Sequence, residues 1–197
     1  MTRLTQSIAL ALVLGVALTA CQNDSGSTEL MAPTVAQSVG GAAKITDEAQ
    51  LSDLRRVTAR FHSIEAAKQA GYSTQITPCW AHHAAGGMGY HYGNTNLFDA
   101  TVDLVNPETV IYEPQAGGHM RLVGMEYIVP LDAWAAANHD LNDPNDVPQL
   151  LGQRFTRHSF LPIFKLHIWL WQNNPSGTFA DWNPKVSCQY AESSQIF

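Results

Sequence analysis

Arg121-Leu122-Val123-Gly124-Met125-Glu126-Tyr127-Ile128-Val129 is the stretch on which the fold turns. From Leu122 to Val129 it is apolar, β-branched or aromatic at all but Gly124 and Glu126. It is too short for a typical buried helix and reads as a buried strand. Working outward, the same signature recurs after Pro78 at Gly89–Tyr92, Thr109–Tyr112 and Phe164–Trp171, with Gly, Pro and Asn punctuating the runs. Glu113-Pro114-Gln115-Ala116-Gly117-Gly118 joins the second of these to the 122–129 strand in a hairpin-like connection. Downstream, a short helix is expected over Asp132–Asn138, an irregular loop over 139–160 and a Pro/Gly-punctuated tail over 172–188.

Upstream the periodicity changes. Leu51, Leu54, Val57, Phe61, Ile64 and Ala67 recur at three- and four-residue spacings, the pattern of an amphipathic helix. Thr46 can cap its start, Asp47 and Glu48 suit the positive end of the helix dipole, and Gly71 ends it. Ser63 can cap a second, shorter helix, so a break near His62 is compatible with the same buried stripe. The expected fold is α+β: an N-terminal helix, whole or broken in two, packed on an antiparallel sheet or small barrel.

The N-terminus carries a different message. Arg3 precedes an apolar run from Ile8 to Leu18 and then small residues, the order of an export signal. The run is shorter than the roughly 20 residues needed to span a bilayer as a permanent helix. Leu18-Thr19-Ala20-Cys21 resembles the lipobox of bacterial lipoproteins. That resemblance implies diacylglycerol on the Cys21 thiol, cleavage before it, and a further fatty-acyl chain such as palmitate on the new amine. Several acyl chains anchor a protein far more firmly than one. Gln22 is not the Asp that resembles an inner-membrane retention signal, so the expected location is the cell envelope, anchored in the outer membrane. Residues 1–20 then form a signal peptide, 21–45 the lipidated Cys and a Ser/Thr/Gly/Ala-rich tether, and 46–197 a single globular domain.

The whole chain has 11 Lys and Arg against 17 Asp and Glu, a net charge of −6. Losing Arg3 with the signal leaves ten cations against seventeen acids, or −7. An acidic domain without Lys/Arg clusters argues against nucleic acid and against anionic lipid surfaces as partners. With Cys21 given to lipid, Cys79 and Cys188 remain as an even pair in an oxidising compartment, most simply a disulfide. Neither CxxC nor CxxH spacing is present to favour a Cys-based metal site.

Three ionisable residues are out of place. His91, Glu126 and His167 each sit inside an apolar strand-like run, where such a group is costly unless paired or ligated. Two imidazoles and a carboxylate are the ligand set of a mononuclear iron, manganese or zinc site with open positions. The bland alternatives are a buried Glu–His network or an outward-facing edge. His82, His83 and His119 flank glycine-rich loops and read as solvated. Asp140–Asp146 fails as an EF-hand, with Pro144 at its fifth position and Leu151 where the bidentate Glu belongs. No Gly-x-Ser-x-Gly elbow is present, and Gly86-Gly87-Met88-Gly89 lacks the Lys-Ser/Thr ending of a phosphate loop. Trp169, Trp171 and Trp182 fit core positions better than a ligand cleft.

Residues 79–188 also resemble a family of exported bacterial proteins of uncharacterised function. The carrying segments are Gly87–Tyr92, Tyr112-Glu113-Pro114, Arg121–Tyr127, Leu166–Trp171, and Asn174-Pro175 through Trp182-Asn183-Pro184 to Cys188. The resemblance implies that Cys79, His91, Glu126, His167 and Cys188 belong to the family pattern, whereas His82, His83 and His119 do not. It implies no activity. Two readings follow. The preferred one is a non-catalytic envelope lipoprotein that binds a small ligand or another envelope protein. The alternative is a metal-dependent enzyme or metal-binding protein with a divalent transition metal on His91, Glu126 and His167.

Overall fold

In the computed structural model of the chain, residues 38–197 are described, with side chains from residue 47 onward. The signal segment 1–20, Cys21 and the tether as far as residue 37 lie outside the described residues. Helix α1 spans Ser38–Thr58 and so begins ahead of Thr46, where a cap was expected. No proline lies between Ser38 and Thr58, so helix can run through the last residues of the expected tether, 38–45, despite the low helix propensity of Gly40-Gly41. Of the two versions, whole or broken, the helix is broken near His62. The buried Thr58 hydroxyl donates to the Leu54 carbonyl at 2.7 Å, and the chain tightens into a 3-10 turn over Ala59–His62. Ser63 then caps α2, Ile64–Gln69, by accepting from the Ala66 N–H. Tyr72 N–H bonds Ala67 O, Gly71 N–H bonds Lys68 O, and Gly71 takes φ +102°, a Schellman ending.

Ten strands follow: β1 Thr74–Gln75, β2 Cys79–His82, β3 Gly86–Gly93, β4 Thr109–Pro114, β5 Met120–Pro130, β6 Gln149–Leu150, β7 Gln153–Arg154, β8 Thr156–Arg157, β9 Ile163–Ile168 and β10 Ser194–Ile196. Seven of them form a curled, half-barrel sheet in the order β10-β2-β3-β4-β5-β9-β8, with β1 pairing to β3. The sheet is open rather than a closed barrel. One pair, β10 with β2, is parallel, where antiparallel pairing alone was expected. Helix α3, Leu131–Ala136, follows β5, and β6 and β7 make a separate small hairpin inside the expected 139–160 loop. Among the described residues no helix is long and apolar enough to cross a membrane.

Alternation along the strands divides the side chains between two faces. Tyr90, Tyr92, Val110, Tyr112, Leu122 and Met125 join Leu54, Phe61 and Ala67 of the helical segment in the main core. The Tyr112 hydroxyl, donating to Phe61 O at 2.5 Å, ties sheet to helix. The opposite face carries a smaller cluster of Ile111, Val123, Trp169 and Val186. A bulge between Ile111 and Tyr112 in the β4–β5 ladder keeps both faces in register. Gly89 sits at φ +89°, and a Cβ there would come within 2.5 Å of the Tyr112 carbonyl, so the β3–β4 approach requires glycine. Gly86–Gly89, expected as a loop opening onto a strand, is itself the start of β3. Cys79 and Cys188 form a disulfide across 109 residues, joining β2 to the C-terminal tail.

Candidate metal centre

Backbone register brings the three out-of-place residues together. Glu126 on β5 is the direct cross-strand partner of His167 on β9. Glu126 also pairs with Thr109 on β4, and Thr109 with Gly93 on β3, two residues from His91. His91, Thr109, Glu126 and His167 therefore lie on one face of three adjacent ladders, opposite the main core. His91 and His167 are each 1 % exposed and Glu126 5 %.

Their donor atoms converge. His91 Nε2 lies 3.3 Å from His167 Nε2. The Glu126 carboxylate sets Oε2 3.6 Å from His91 Nε2 and Oε1 3.4 Å from His167 Nε2. One donor atom from each residue falls within 4.8 Å of the others. Ligands about 2.1 Å from a tetrahedral ion stand about 3.4 Å apart, whereas cis ligands of a six-coordinate ion at that distance stand about 3.0 Å apart. The nitrogen–nitrogen spacing of 3.3 Å falls between these two edges, and the carboxylate turns a different oxygen toward each nitrogen, so the three residues fit around one ion of either geometry.

The outer ring nitrogens are held from behind. Thr77 Oγ1 lies 2.9 Å from His91 Nδ1. Asp181 Oδ1 lies 3.5 Å from His167 Nδ1, longer than a hydrogen bond, and His167 Nδ1 is a buried nitrogen without a hydrogen-bond partner among the described residues. Asp181 also accepts from Lys165 Nζ, a buried ammonium on the same face of β9. The nearby His167 ring, and then Lys165, hold the Asp181 carboxyl well below the usual carboxylate range. A carboxylate beside Nδ1 favours the proton there and leaves the Nε2 lone pair facing inward. Burial pushes His91 down to about 4, with Glu126 opposing and His167 adding to the fall. His91 is thus neutral at physiological pH, the form that ligates metal. Two inward nitrogens and a carboxylate repel one another unless a proton or a cation lies between them. A hydrogen-bonded network satisfies the first case and a metal ion the second.

The remaining histidines do not join this cluster. His82 is half-buried at the end of β2 and stacks on exposed His83, with ring centroids 4.5 Å apart, while His119 is exposed beyond the β4 end of the hairpin. His139 stacks on Trp134 and bonds Asp146 at 2.6 Å, which closes the Asp140–Asp146 loop on itself. Sequence reasoning missed Thr77, Lys165 and Asp181 around the centre, and His158 beside it. Lys165 carried a readable signal, since Phe164-Lys165-Leu166-His167 places a second ionisable group in the same apolar run. Asp181, in the punctuated tail, carried none.

Two cavities adjoin the site face. One, of about 170 Å³, has Glu126, Thr77, Ile76, Phe98, Ile128 and Leu161 among its lining residues. The other, of about 280 Å³, is lined by Lys165, Asp181, Arg157 and Trp182. Trp80 and His158 line both and stand between them, their rings 5.7 Å apart. His158 Nδ1 accepts from the Phe160 and Leu161 N–H groups, which fixes the 158–161 turn over this end of the sheet. No known protein family, curated protein or solved structure matches the chain.

Proposed function

We propose that His91, Glu126 and His167 bind a single divalent transition-metal ion, and that the domain is a metal-dependent enzyme of the cell envelope. The observation that carries this reading is the convergence of two Nε2 atoms and one carboxylate, 3.3 to 3.6 Å apart, in a buried site. Two imidazoles and one carboxylate are the donor set of mononuclear zinc, iron or manganese sites that leave a position for water or substrate, and Zn²⁺ is the ion chosen for the test. Such an ion lowers the pKa of bound water toward neutrality and polarises a carbonyl or phosphoryl oxygen, so the reaction class is hydrolysis or hydration. Glu126 is the ligand that borders a cavity. Around it the chain supplies orientation: Thr77 fixes His91, and Asp181 with Lys165 faces His167.

The test is a Zn²⁺ titration of chelator-washed protein followed by thermal unfolding. A ligand of the native state raises the melting temperature in proportion to its affinity. The reading requires a rise for the parent protein and its loss in Glu126→Ala and His167→Ala. An identical rise in those variants would overturn it. The non-catalytic reading, a domain that binds a small ligand or envelope protein without metal, has the Glu126 cavity in its favour and predicts no rise at all.

Location is part of the same proposal. The lipobox at Leu18–Cys21 and the ordered motifs of residues 79–188 support an exported, lipid-anchored protein, held by Cys21 in the outer membrane. The Cys79–Cys188 disulfide fits an oxidising compartment. Cys21→Ser should release the protein from membranes, and a variant that still fractionates with them would refute the anchor.

A further inference from the structure

We infer that Thr109 is the positioning residue of the carboxylate ligand: its hydroxyl donates to the oxygen of Glu126 that does not bind the ion, and so holds Glu126 as a one-oxygen ligand. The inference rests on the metal reading above and adds a residue that no ligand spacing in the sequence points to.

Topology puts Thr109 beneath the centre. β4 runs between β3, which carries His91, and β5, which carries Glu126. Neighbouring strands stand about 4.8 Å apart, so these two ligands rise from backbones about 10 Å apart, yet Glu126 Oε2 lies 3.6 Å from His91 Nε2. Their side chains therefore meet over β4. Below the meeting point lie Ile111, level with His91, and Thr109, level with Glu126. Directly opposed residues have Cβ atoms about 4.5 to 5.5 Å apart, which brings a threonine hydroxyl within reach of a glutamate carboxylate.

Donor and acceptor are each left incomplete. Thr109 is fully buried, and its Oγ1 has no hydrogen-bond partner among the described residues. Glu126 is buried as well, and its carboxylate faces the two Nε2 atoms at 3.4 and 3.6 Å, beyond the usual N–H···O range. A buried hydroxyl without an acceptor and a buried carboxylate without a close donor are both costly, and here they occupy paired positions.

The ion resolves one half of this and Thr109 the other. With both Nε2 lone pairs and one Glu126 oxygen on the metal, the second oxygen is left as an acceptor, and ligating carboxylates are ordinarily hydrogen-bonded there. Ile111 offers no donor, and the Thr77 hydroxyl is already engaged with His91 Nδ1. A bond from Thr109 keeps the second oxygen from turning onto the ion. That preserves a coordination position for water or substrate.

The test uses full-length protein whose Zn²⁺ content is measured first. Thr109→Val removes the hydroxyl and keeps the branched shape, while Thr109→Ser retains the hydroxyl. By chelator competition, Thr109→Val should bind Zn²⁺ at least about tenfold more weakly than the parent, and Thr109→Ser within about threefold of it. Without Zn²⁺, Thr109→Val should melt no lower than the parent, because a buried hydroxyl with no partner does not stabilise the fold. Infrared difference spectra of Zn²⁺ loading should show the widely separated carboxylate stretches of a one-oxygen ligand in the parent and in Thr109→Ser, and the closer pair of a two-oxygen ligand in Thr109→Val.

The inference is overturned if Thr109→Val binds Zn²⁺ within about threefold of the parent, if Thr109→Ser is as weak as Thr109→Val, or if the carboxylate stretches agree in all three proteins. A Thr109→Val protein that melts lower without Zn²⁺, or does not fold, shows that the hydroxyl has its partner within the protein and overturns it too. A parent that holds no Zn²⁺ is registered before any variant is compared, and counts against the metal reading itself.

Discussion

Asp181→Asn is the perturbation that probes the centre without touching a ligand. The substitution keeps shape and removes the charge facing His167 Nδ1 at 3.5 Å. Removing a partner that orients a metal-ligating histidine typically weakens metal binding 10- to 100-fold, about 1.4 to 2.7 kcal/mol. The same change leaves the buried Lys165 ammonium without its carboxylate, which lowers stability by a separate route. Lys165→Met removes that complication, because the carboxylate then faces His167 alone. Zn²⁺ affinity is read by competition with a chromophoric chelator in the parent, Lys165→Met, and Lys165→Met combined with Asp181→Asn. The double variant should bind Zn²⁺ about 10- to 100-fold more weakly than Lys165→Met. Affinities within about twofold would refute the assignment of Asp181 as the positioning residue for His167.

Glu108 is 2 % exposed, accepts from the Ile128 N–H at 3.1 Å, and is pushed by burial from 4.5 up to about 8. Its folded form therefore holds a proton that the unfolded chain releases, so the protein loses stability as pH climbs from about 4.5 to about 8. Glu108→Gln should remove that loss and gain a few kcal/mol at pH 9 in denaturant titrations; a stability curve parallel to the parent's would contradict this. The disulfide spans 109 residues, for which loop-closure entropy gives up to about 5 kcal/mol. Cys79→Ala with Cys188→Ala should lower unfolding stability by several kcal/mol, and a loss under about 1 kcal/mol would show that the loop is already constrained. Combined His82→Ala, His83→Ala and His119→Ala should leave Zn²⁺ stoichiometry unchanged, and a fall by one equivalent would move the site to the surface.

The strands that carry the centre were legible because each contains aromatic, β-branched or other apolar residues bounded by Gly, Pro or Asn, although in β3 that signal is confined to Tyr90-His91-Tyr92 and Gly86–Gly89 read as loop. β3, β4, β5 and β9 lie where such runs occur in the sequence. The helix break at Ser63 was legible too, since a serine able to cap stands in the middle of the apolar stripe. β10 was not, because Ser194-Gln195-Ile196 is three exposed residues whose pairing partner, β2, lies more than a hundred positions away. The two-residue strands of the 149–157 region are likewise too short to show a period. His91, Glu126 and His167 announced themselves as charges in apolar runs, but their meeting depends on register. A one-residue slip of β9 against β5 would send His167 to the opposite face, and nothing local in either strand fixes that pairing. Asp181 and Thr77 act through tertiary approach from loops, which carries no periodic signal.

Elemental analysis tests the central claim most directly. Protein refolded, washed with chelator, reconstituted with Zn²⁺, Fe²⁺ or Mn²⁺ in separate samples and passed through a desalting column should retain about one equivalent of its preferred ion per chain. His91→Ala, Glu126→Ala and His167→Ala should each abolish retention. Less than about a tenth of an equivalent of any ion, with an unchanged melting temperature, would contradict the account, because an ion bound to the native state must stabilise it.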